Sequence, residues 1–439
     1  MTTADLIVLG AGPGGYTTAA RAAAGGAAVI LFEPGELGGT CLNRGCIPTK
    51  ALCRSAEVAV TVASASRFGV SVEGPVALSW PVASARKDEI VATLRDGVAT
   101  LLRNVTVVRE RASFTPSGTI LAGGEEYSAP KIVIATGSRP APLRAEGADL
   151  AVTSDELLSL PDVPESVAIV GGGVIGMEFA SILTAFGVKV TVLEYCPEIL
   201  PPFDAEIAKR LRMAMKRRGV NIVTGASVTA IRPGFAVDYE AKGKKATVEA
   251  ALVLSAVGRR PVLPDGLEEA GIKVTPRGYI KVDDNMLTTR PGVYAIGDVN
   301  GLCMLAHAAE AQGAVALGED IDLSVIPSAV FTMPECAMVG LTEKECQDLG
   351  YNIKVGKATF RSNGKALAID EPDGLVKVIT DTTTGRMLGC HICGPHAADL
   401  IQEAALAIAA GIPSAGVALT VHGHPTLSET LLQAVAASL

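Results

Sequence analysis

Short apolar runs separated by glycine-rich breaks give this chain its order. Leu6-Ile7-Val8-Leu9 is an uninterrupted apolar run, the pattern of a strand buried on both faces. It enters Gly10-Ala11-Gly12-Pro13-Gly14-Gly15, and the alanine-rich stretch Tyr16 to Ala24 then predicts a helix. A second apolar run, Ala28 to Phe32, stops at an acid, Glu33. The same succession returns later. Val167-Ala168-Ile169-Val170 runs into Gly171-Gly172-Gly173-Val174-Ile175-Gly176, a helix over Met177 to Phe186 closed by Gly187, a strand over Val188 to Leu193, and Glu194. Strand, glycine turn, helix, strand and acid therefore occur twice.

Other elements fill the intervals. Ala51 to Arg67 reads as helical. Trp80 to Leu102 reads as a long amphipathic helix with Ile90, Leu94, Val98 and Leu101 on its apolar side. Thr106 to Tyr127 alternates as strands, with turns at Pro116-Ser117-Gly118 and Gly123-Gly124; Lys131 to Ala135 is a strand running into Thr136-Gly137. Glu206 to Arg218 predicts a basic-faced helix, and Val220 to Val257 a set of strands closing at Gly258-Arg259-Arg260-Pro261. Tyr279 to Val282 and Val293 to Ile296 predict strands, the latter ending in Gly297-Asp298, and Met304 to Leu317 a helix. From about Pro327 the glycine signatures stop, and strands at Leu375 to Ile379 and Met387 to Cys390 suggest a separate α+β domain. The expected boundaries are 1–145, 146–264, 265–326 and 327–439. Ala404 to Val421 is 18 residues without a charge or histidine, but Gly411-Ile412-Pro413-Ser414 interrupts it. A buried helix, a turn and a short second element fit it better than a membrane span.

The glycine spacing carries chemistry. Gly10, Gly12 and Gly15, and again Gly171, Gly173 and Gly176, follow G-x-G-x-x-G between a strand and a helix. Such glycines let the backbone approach a pyrophosphate, whose charge the helix N-terminus favours. Glu33 and Glu194 stand where an acid accepts from a ribose hydroxyl. At the second site an acid suits a free 2′-hydroxyl and repels a 2′-phosphate, so NAD is expected over NADP. The fold class is α/β with two Rossmann-like dinucleotide-binding domains. Two such sites in one enzyme suit a relay of electrons, a flavin at the first and a nicotinamide at the second. The net charge of −8 argues against a nucleic-acid partner. Nine cysteines, an odd number, fit a reducing compartment, and Met1-Thr-Thr-Ala-Asp-Leu carries no positive leader, so a cytoplasmic, non-membrane protein is expected.

Soon after Glu33 comes Gly38-Gly39-Thr40-Cys41-Leu42-Asn43-Arg44-Gly45-Cys46-Ile47-Pro48-Thr49-Lys50. In a regular helix residues five apart lie roughly 8–9 Å apart, whereas a disulfide tolerates about 4.4–6.8 Å between Cα atoms. Either these are two unrelated buried cysteines, or the backbone between them is irregular. Gly45 and Pro48 are residue types that permit and fix such a distortion.

The order of these motifs resembles the flavin-dependent pyridine nucleotide–disulfide oxidoreductases, and within them the lipoamide branch, along essentially the whole chain. Gly10 to Gly15 resembles the FAD fingerprint, and Gly38 to Lys50, including Gly39, Thr40 and Lys50, the redox-disulfide stretch. Thr136 and Gly137 resemble the exit from the FAD domain, Asp298 the ligand of the ribityl chain, and Met304-Leu305-Ala306-His307 a flavin-facing segment. Gly258 is carried as a further cofactor-binding position. His424 before Pro425, with Glu429 five residues on, resembles the C-terminal acid–base pair. The resemblance implies FAD and NAD as cofactors and a Cys41–Cys46 redox disulfide. Cys46 would face the flavin, and Cys41 would exchange with substrate. It also implies a Lys50–Glu178 ion pair near the flavin, and a homodimer joined through the α+β domain in which His424 and Glu429 serve the partner's disulfide. The expected substrate is the dihydrolipoyl group of an acyltransferase or of a glycine-cleavage carrier protein. The sequence carries no lipoyl segment of its own, and the absence of a C-terminal cysteine pair speaks against mercuric chemistry. A reductase of another small disulfide, or a mainly structural subunit of a 2-oxo acid dehydrogenase complex, are the alternatives.

Cys390-His391-Ile392-Cys393 is a C-x-x-C, but on a strand residues three apart face opposite sides. These are read as buried thiols, with no metal site, and Cys53, Cys196, Cys303, Cys336 and Cys346 as lying outside any disulfide.

Overall fold

A computed structural model describes residues 1–439. The chain forms two compact units: residues 1–51, 81–141 and 258–323 make the first, and residues 52–80, 142–257 and 324–439 the second.

The first unit is built on a five-stranded parallel sheet in the order Val293–Ala295, Lys131–Ile134, Leu6–Leu9, Val29–Phe32, Thr106–Val108. Strand alternation sends successive side chains to opposite faces. Leu6, Val8 and Leu31 enter one apolar cluster, and Ile7, Leu9, Ile30 and Phe32 enter another. This is why the runs are apolar without a break. The Pro13–Ala24 and Ala306–Leu317 helices meet through small residues. A Cβ on Gly14 would stand 2.9 Å from the Ala309 carbonyl oxygen, and one on Gly313 only 2.0 Å from Thr18 Oγ1. A second, small sheet orders Thr2–Thr3, Glu125–Ser128, Ile120–Ala122 and Ser113–Phe114.

The second unit holds a four-stranded parallel sheet, Asn221–Thr224, Lys189–Glu194, Ser166–Val170, Leu252–Ser255, with the Val174–Ala185 helix packed on it. A three-stranded antiparallel sheet, Ala226–Arg232, Ala236–Ala241 and Lys244–Glu249, follows. Its C-terminal part is an antiparallel sheet of five strands: Ser328–Val330, Glu335–Gly340, Met387–Gly394, Leu375–Asp381, Ile353–Thr359. The Ala397–Ala409 and Ser428–Ala437 helices bury Ile401, Ala404, Leu431 and Val435 against it. A charged cluster lies inside this unit. Lys377, 3% exposed, meets Asp204 at 2.9 Å and Glu343 at 2.6 Å. Asp204 also caps the Ala205–Arg217 helix.

Four expectations need correction. The helix after the cysteines begins at Cys46, not Ala51; Pro48 is tolerated there because first-turn N–H groups have no helical partner. The second fingerprint helix likewise starts at Val174, directly after Gly173. Tyr279 to Val282 is not a strand: only isolated bridges, Val274 with Ile280 and Val282 with Thr288, form there. On the Trp80–Leu101 helix the core takes the stripe of Ala83, Val91, Val98 and, just beyond, Leu102. Leu94 and Leu101, on the neighbouring stripe, stay 41% and 51% exposed. The uncharged stretch from Ala404 is the end of one helix, a turn at Gly411 and a short helix, Ser414–Leu419. No helix is long and apolar enough to cross a membrane.

Candidate active site

The Cys41–Cys46 stretch is two helices with a break between them. The first, Gly39–Arg44, ends at Gly45, whose backbone (φ −141°, ψ −111°) is not helical, and the second begins at Cys46. The break brings the two Cα atoms to 4.7 Å, and Cys41 and Cys46 are joined as a disulfide. A Cβ on Gly45 would sit 3.0 Å from the Thr40 carbonyl oxygen and 3.2 Å from Cys41 Cα, so glycine is what lets the turn close. The carbonyl freed at the break is not wasted. Thr49 donates to the Gly45 oxygen through its hydroxyl at 2.6 Å and its N–H at 3.1 Å. On the other side, Asn43 Nδ2 donates to the Leu37 and Gly39 carbonyls at 2.9 and 3.0 Å, and Arg95 Nε holds Asn43 Oδ1 at 3.1 Å.

This stretch is seated on the first glycine loop. Gly38 N–H donates to the Ala11 carbonyl at 2.8 Å. A Cβ on Gly39, which has φ +59°, would lie 2.5 Å from Gly12 Cα. The loop itself is tight where the fold needs it and open where a ligand would come. A Cβ on Gly15 would stand 1.9 Å from the Gly10 carbonyl oxygen, whereas one on Gly12 meets nothing within 4 Å. Glu33, just past its strand, accepts from the loop's Ala11 N–H with one oxygen and from Gly35 N–H, two residues on, with the other, at 2.8 Å each. An open glycine at the head of a 12-residue helix, beside an acid, is a cradle that fits a dinucleotide. Asp298 follows the Val293–Ala295 strand at the same C-terminal edge of the first unit's parallel sheet as the glycine loop. Ser138 Oγ donates to Asp298 Oδ2, and Arg259 reaches Ser138 Oγ at 2.7 Å and Asp298 Oδ2 at 3.9 Å. Gln312, 1% exposed, accepts from Gly297 N–H at 2.7 Å and so fixes the Gly297–Val299 turn. Thr136 donates to the Val262 carbonyl, and Gly137 and Gly258 take φ +69° and +106°. Met304 and Leu305 lead into the Ala306–Leu317 helix, with Ala306 and His307 in its first turn. Lys50 lies one turn beyond Cys46 on its helix.

The second glycine loop repeats the first. A Cβ on Gly176 would be 2.0 Å from the Gly171 carbonyl oxygen, and one on Gly173 meets nothing within 4 Å. Glu194, 6% exposed, accepts from Gly172 N–H and from Cys196 N–H. Glu178, 3% exposed on the following helix, accepts from Phe331 N–H at 3.0 Å.

His424 and Glu429 are brought together. Nδ1 of His424 donates to Glu429 Oε1 at 2.9 Å, and the imidazole is 79% exposed. With Nδ1–H committed to the carboxylate, Nε2 is left outward as the proton acceptor. The other carboxylate oxygen accepts Thr426 N–H at 2.9 Å. That N–H, then the His424 ring, holds Glu429 below its usual carboxylate range.

Residues 4–313 match the pyridine nucleotide-disulphide oxidoreductase family, and residues 326–435 its dimerisation domain. The chain belongs to the pyridine nucleotide-disulphide oxidoreductases. Within this family it is 42% identical to a dihydrolipoyl dehydrogenase of Thermus scotoductus, over 100% of this chain and 98% of that one. It is 40% identical to the dihydrolipoyl dehydrogenase of Bacillus subtilis, with the same coverage. Among solved structures it resembles the HOCl-induced flavoprotein disulfide reductase RclA of Escherichia coli, with TM-score 0.86, 29% identity, and 98% and 99% of the two chains covered.

Several residues at the site escaped sequence reasoning. Ser138 and Arg259 are distant in sequence from Asp298 and gave no local signal beyond the strands that follow Gly137 and Gly258, and Gln312, within the Ala306–Leu317 helix, gave none. His422, beside His424, was visible as a His-Gly-His run but not as a partner of Glu403. Cys390 and Cys393 are buried and outside any disulfide. Burial drives the Cys390 thiol far above its ordinary range, which leaves no thiolate for exchange.

Proposed function

We propose that the chain is a dihydrolipoyl dehydrogenase, oxidising protein-bound dihydrolipoyl groups to lipoyl disulfides with NAD⁺ as acceptor. Identity of 42% over the full length of a curated dihydrolipoyl dehydrogenase carries the substrate. The Cys41–Cys46 disulfide, seated through Gly39 on the first glycine loop, supports the chemistry.

One lipoyl thiolate attacks Cys41 Sγ and displaces Cys46 as a thiolate. The second lipoyl thiolate then attacks the substrate sulfur of that mixed disulfide and releases Cys41, closing the lipoyl ring and leaving a reduced Cys41/Cys46 pair. Each attack needs a thiolate, and Nε2 of His424 accepts the proton while Glu429 holds the ring and balances its charge. In the homodimer His424 and Glu429 of one protomer serve the disulfide of the other. FAD, when bound, would supply the two-electron chemistry that links the reduced Cys41/Cys46 pair to NAD⁺. Gly10, Gly12, Gly15, Glu33, Gly39, Thr40, Thr136, Gly137, Gly258, Asp298 and the Met304–His307 segment would hold FAD, and Lys50 would steady its charge. Gly171, Gly173, Gly176 and Glu194 would hold NAD. The protein works in the cytoplasm on the lipoyl group of an acyltransferase or of a glycine-cleavage carrier protein.

Purified holoenzyme should oxidise dihydrolipoamide with NAD⁺, and far more slowly with NADP⁺. No turnover of dihydrolipoamide, together with NADH- or NADPH-driven reduction of a glutathione-type disulfide, would replace this reading by that of a small-disulfide reductase.

A further inference from the structure

The segment bearing His424 is exposed from Leu419 to Pro425 with one exception. His422 is the only residue of that run turned inward, its side chain 6% exposed. Both of its ring nitrogens face groups that only accept. Nδ1 lies 2.9 Å from the Thr420 carbonyl oxygen, and Nε2 lies 2.8 Å from Glu403 Oε1, on the Ala397–Ala409 helix. A neutral imidazole has one N–H and would leave one of these two contacts unmade; an imidazolium donates to both. The rest of the segment is tied elsewhere. Asn363 Nδ2 holds the Thr426 carbonyl at 2.9 Å, and Thr426 Oγ1 holds the Gly423 carbonyl at 2.7 Å. Thr420 is tied back to its own helix, its N–H to the Val417 carbonyl at 3.1 Å and its hydroxyl to the Gly416 carbonyl at 3.0 Å; beyond it, the His422 side chain ties the backbone that leads into the acid–base pair to the Ala397–Ala409 helix.

We propose that His422 is a positioning residue: a doubly protonated ring, clamped between Thr420 and Glu403, that anchors the His424 segment to the Ala397–Ala409 helix and sets a positive charge beside Glu429. This deepens the dihydrolipoyl dehydrogenase reading and rests on it for its kinetic consequences. The charges facing the ring are Glu403 from that helix and Glu429 from the Ser428–Ala437 helix. Burial pushes the ring toward its neutral form, but the Thr420 carbonyl and Glu403 outweigh it and the net direction is upward. Glu429 in turn feels His422 as a favourable charge. Loss of the clamp therefore does two things. It frees the approach of His424, and it removes a cation from the neighbourhood of the pair.

The test has two independent arms. The chain has five histidines, few enough for each ring to be assigned by single substitutions in ¹⁵N-histidine-labelled holoenzyme. Titrated by NMR, both His422 nitrogens should stay N–H to a higher pH than an ordinary imidazole; a ring that loses one N–H at or below the ordinary histidine range would overturn the clamp. In the second arm, folded and FAD-loaded H422Q, E403Q and the double variant are assayed with dihydrolipoamide and NAD⁺ across pH. A misplacement on the order of 1 Å costs up to about a hundredfold. Each single variant should lose roughly ten- to a hundredfold in kcat with little change in KM, and the pH of half-maximal rate on the acid side should rise. The double variant should lose no more than either single, because both remove one contact. Wild-type kcat in H422Q, or additive losses in the double variant, would overturn the proposal. If the wild type does not turn over dihydrolipoamide, it is the reaction that fails, and the NMR arm still decides the clamp.

Discussion

Replacing Gly12 with alanine separates what the first glycine loop does for the fold from what it does for a cofactor. Gly12 has φ −72° and ψ 179°, a conformation alanine adopts freely. Its added methyl would meet no protein atom within 4 Å. The apo-protein should therefore keep its stability or gain about 0.4–1 kcal/mol from the stiffer unfolded chain. A pyrophosphate lying over that glycine would meet the methyl directly. Overpacking of this kind costs about 1–3 kcal/mol, or roughly 5- to 150-fold in affinity. Gly15 behaves oppositely. A methyl there stands 1.9 Å from the Gly10 carbonyl oxygen, and reaching 3.0 Å requires the helix and loop to part by at least 3.0 − 1.9 = 1.1 Å. G15A should lose apo stability as well as FAD. The Gly173→Ala variant carries the comparison to the second loop: it should raise the KM for NAD⁺ and leave FAD content unchanged. The assays are thermal melts of apo-protein, flavin absorbance after reconstitution, and steady-state KM. A G12A protein that binds FAD as tightly as wild type would refute the placement of the pyrophosphate.

The acid–base pair, the buried ion cluster and the pH dependence each give a further expectation. H424Q should lower kcat for dihydrolipoamide by about 10²–10⁴, and E429Q by less, while both keep bound FAD; equal activity in H424Q would remove it from the mechanism. K377M strands the carboxylate of Asp204, 5% exposed, without its cation. It should destabilise by about 3–5 kcal/mol, with partial recovery in K377M/D204N; an unchanged denaturation midpoint would show that the cluster is not a charged one. The two C-terminal ionisations run in opposite directions. His422 is held upward, so its stabilisation is complete below its unfolded value of about 6.5 and fades as pH rises through the folded value. Glu429 is held downward, so its stabilisation is present above its unfolded value of about 4.3 and fades as pH falls. The melting deficit of H422Q should shrink toward alkaline pH and that of E429Q toward acid; flat differences would contradict the assignments.

What could be read from the sequence was local. The two glycine loops declared themselves because strand, turn and acid are neighbours in the chain, and the apolar runs Leu6 to Leu9 and Val167 to Val170 could only be buried on both faces. The cysteine spacing posed a geometric question that Gly45 answers with a non-helical backbone. What stayed hidden was tertiary. Nothing near Gly39 indicates that it lies against Gly12, and nothing near Asp298 points to Ser138, 160 residues earlier, or to Arg259. The apolar stripe of the Trp80–Leu101 helix was visible, but which of two adjacent stripes the core takes depends on what packs there. Tyr279 to Val282 has strand composition without a strand's partner. His422 carries an unremarkable signal in sequence, and only Glu403, 19 residues away, gives it a role.

The central claim is that Cys41 and Cys46, and no other cysteines, carry electrons between a lipoyl substrate and the cofactors. Holoenzyme should be reduced anaerobically with one equivalent of NADH per FAD, alkylated under native conditions, and mapped by peptide mass. The account predicts that labels absent from the oxidised protein appear at Cys41 and Cys46 and at no other position. Reduction that leaves both unlabelled, or that exposes a new thiol at Cys390 or Cys393 instead, would contradict it.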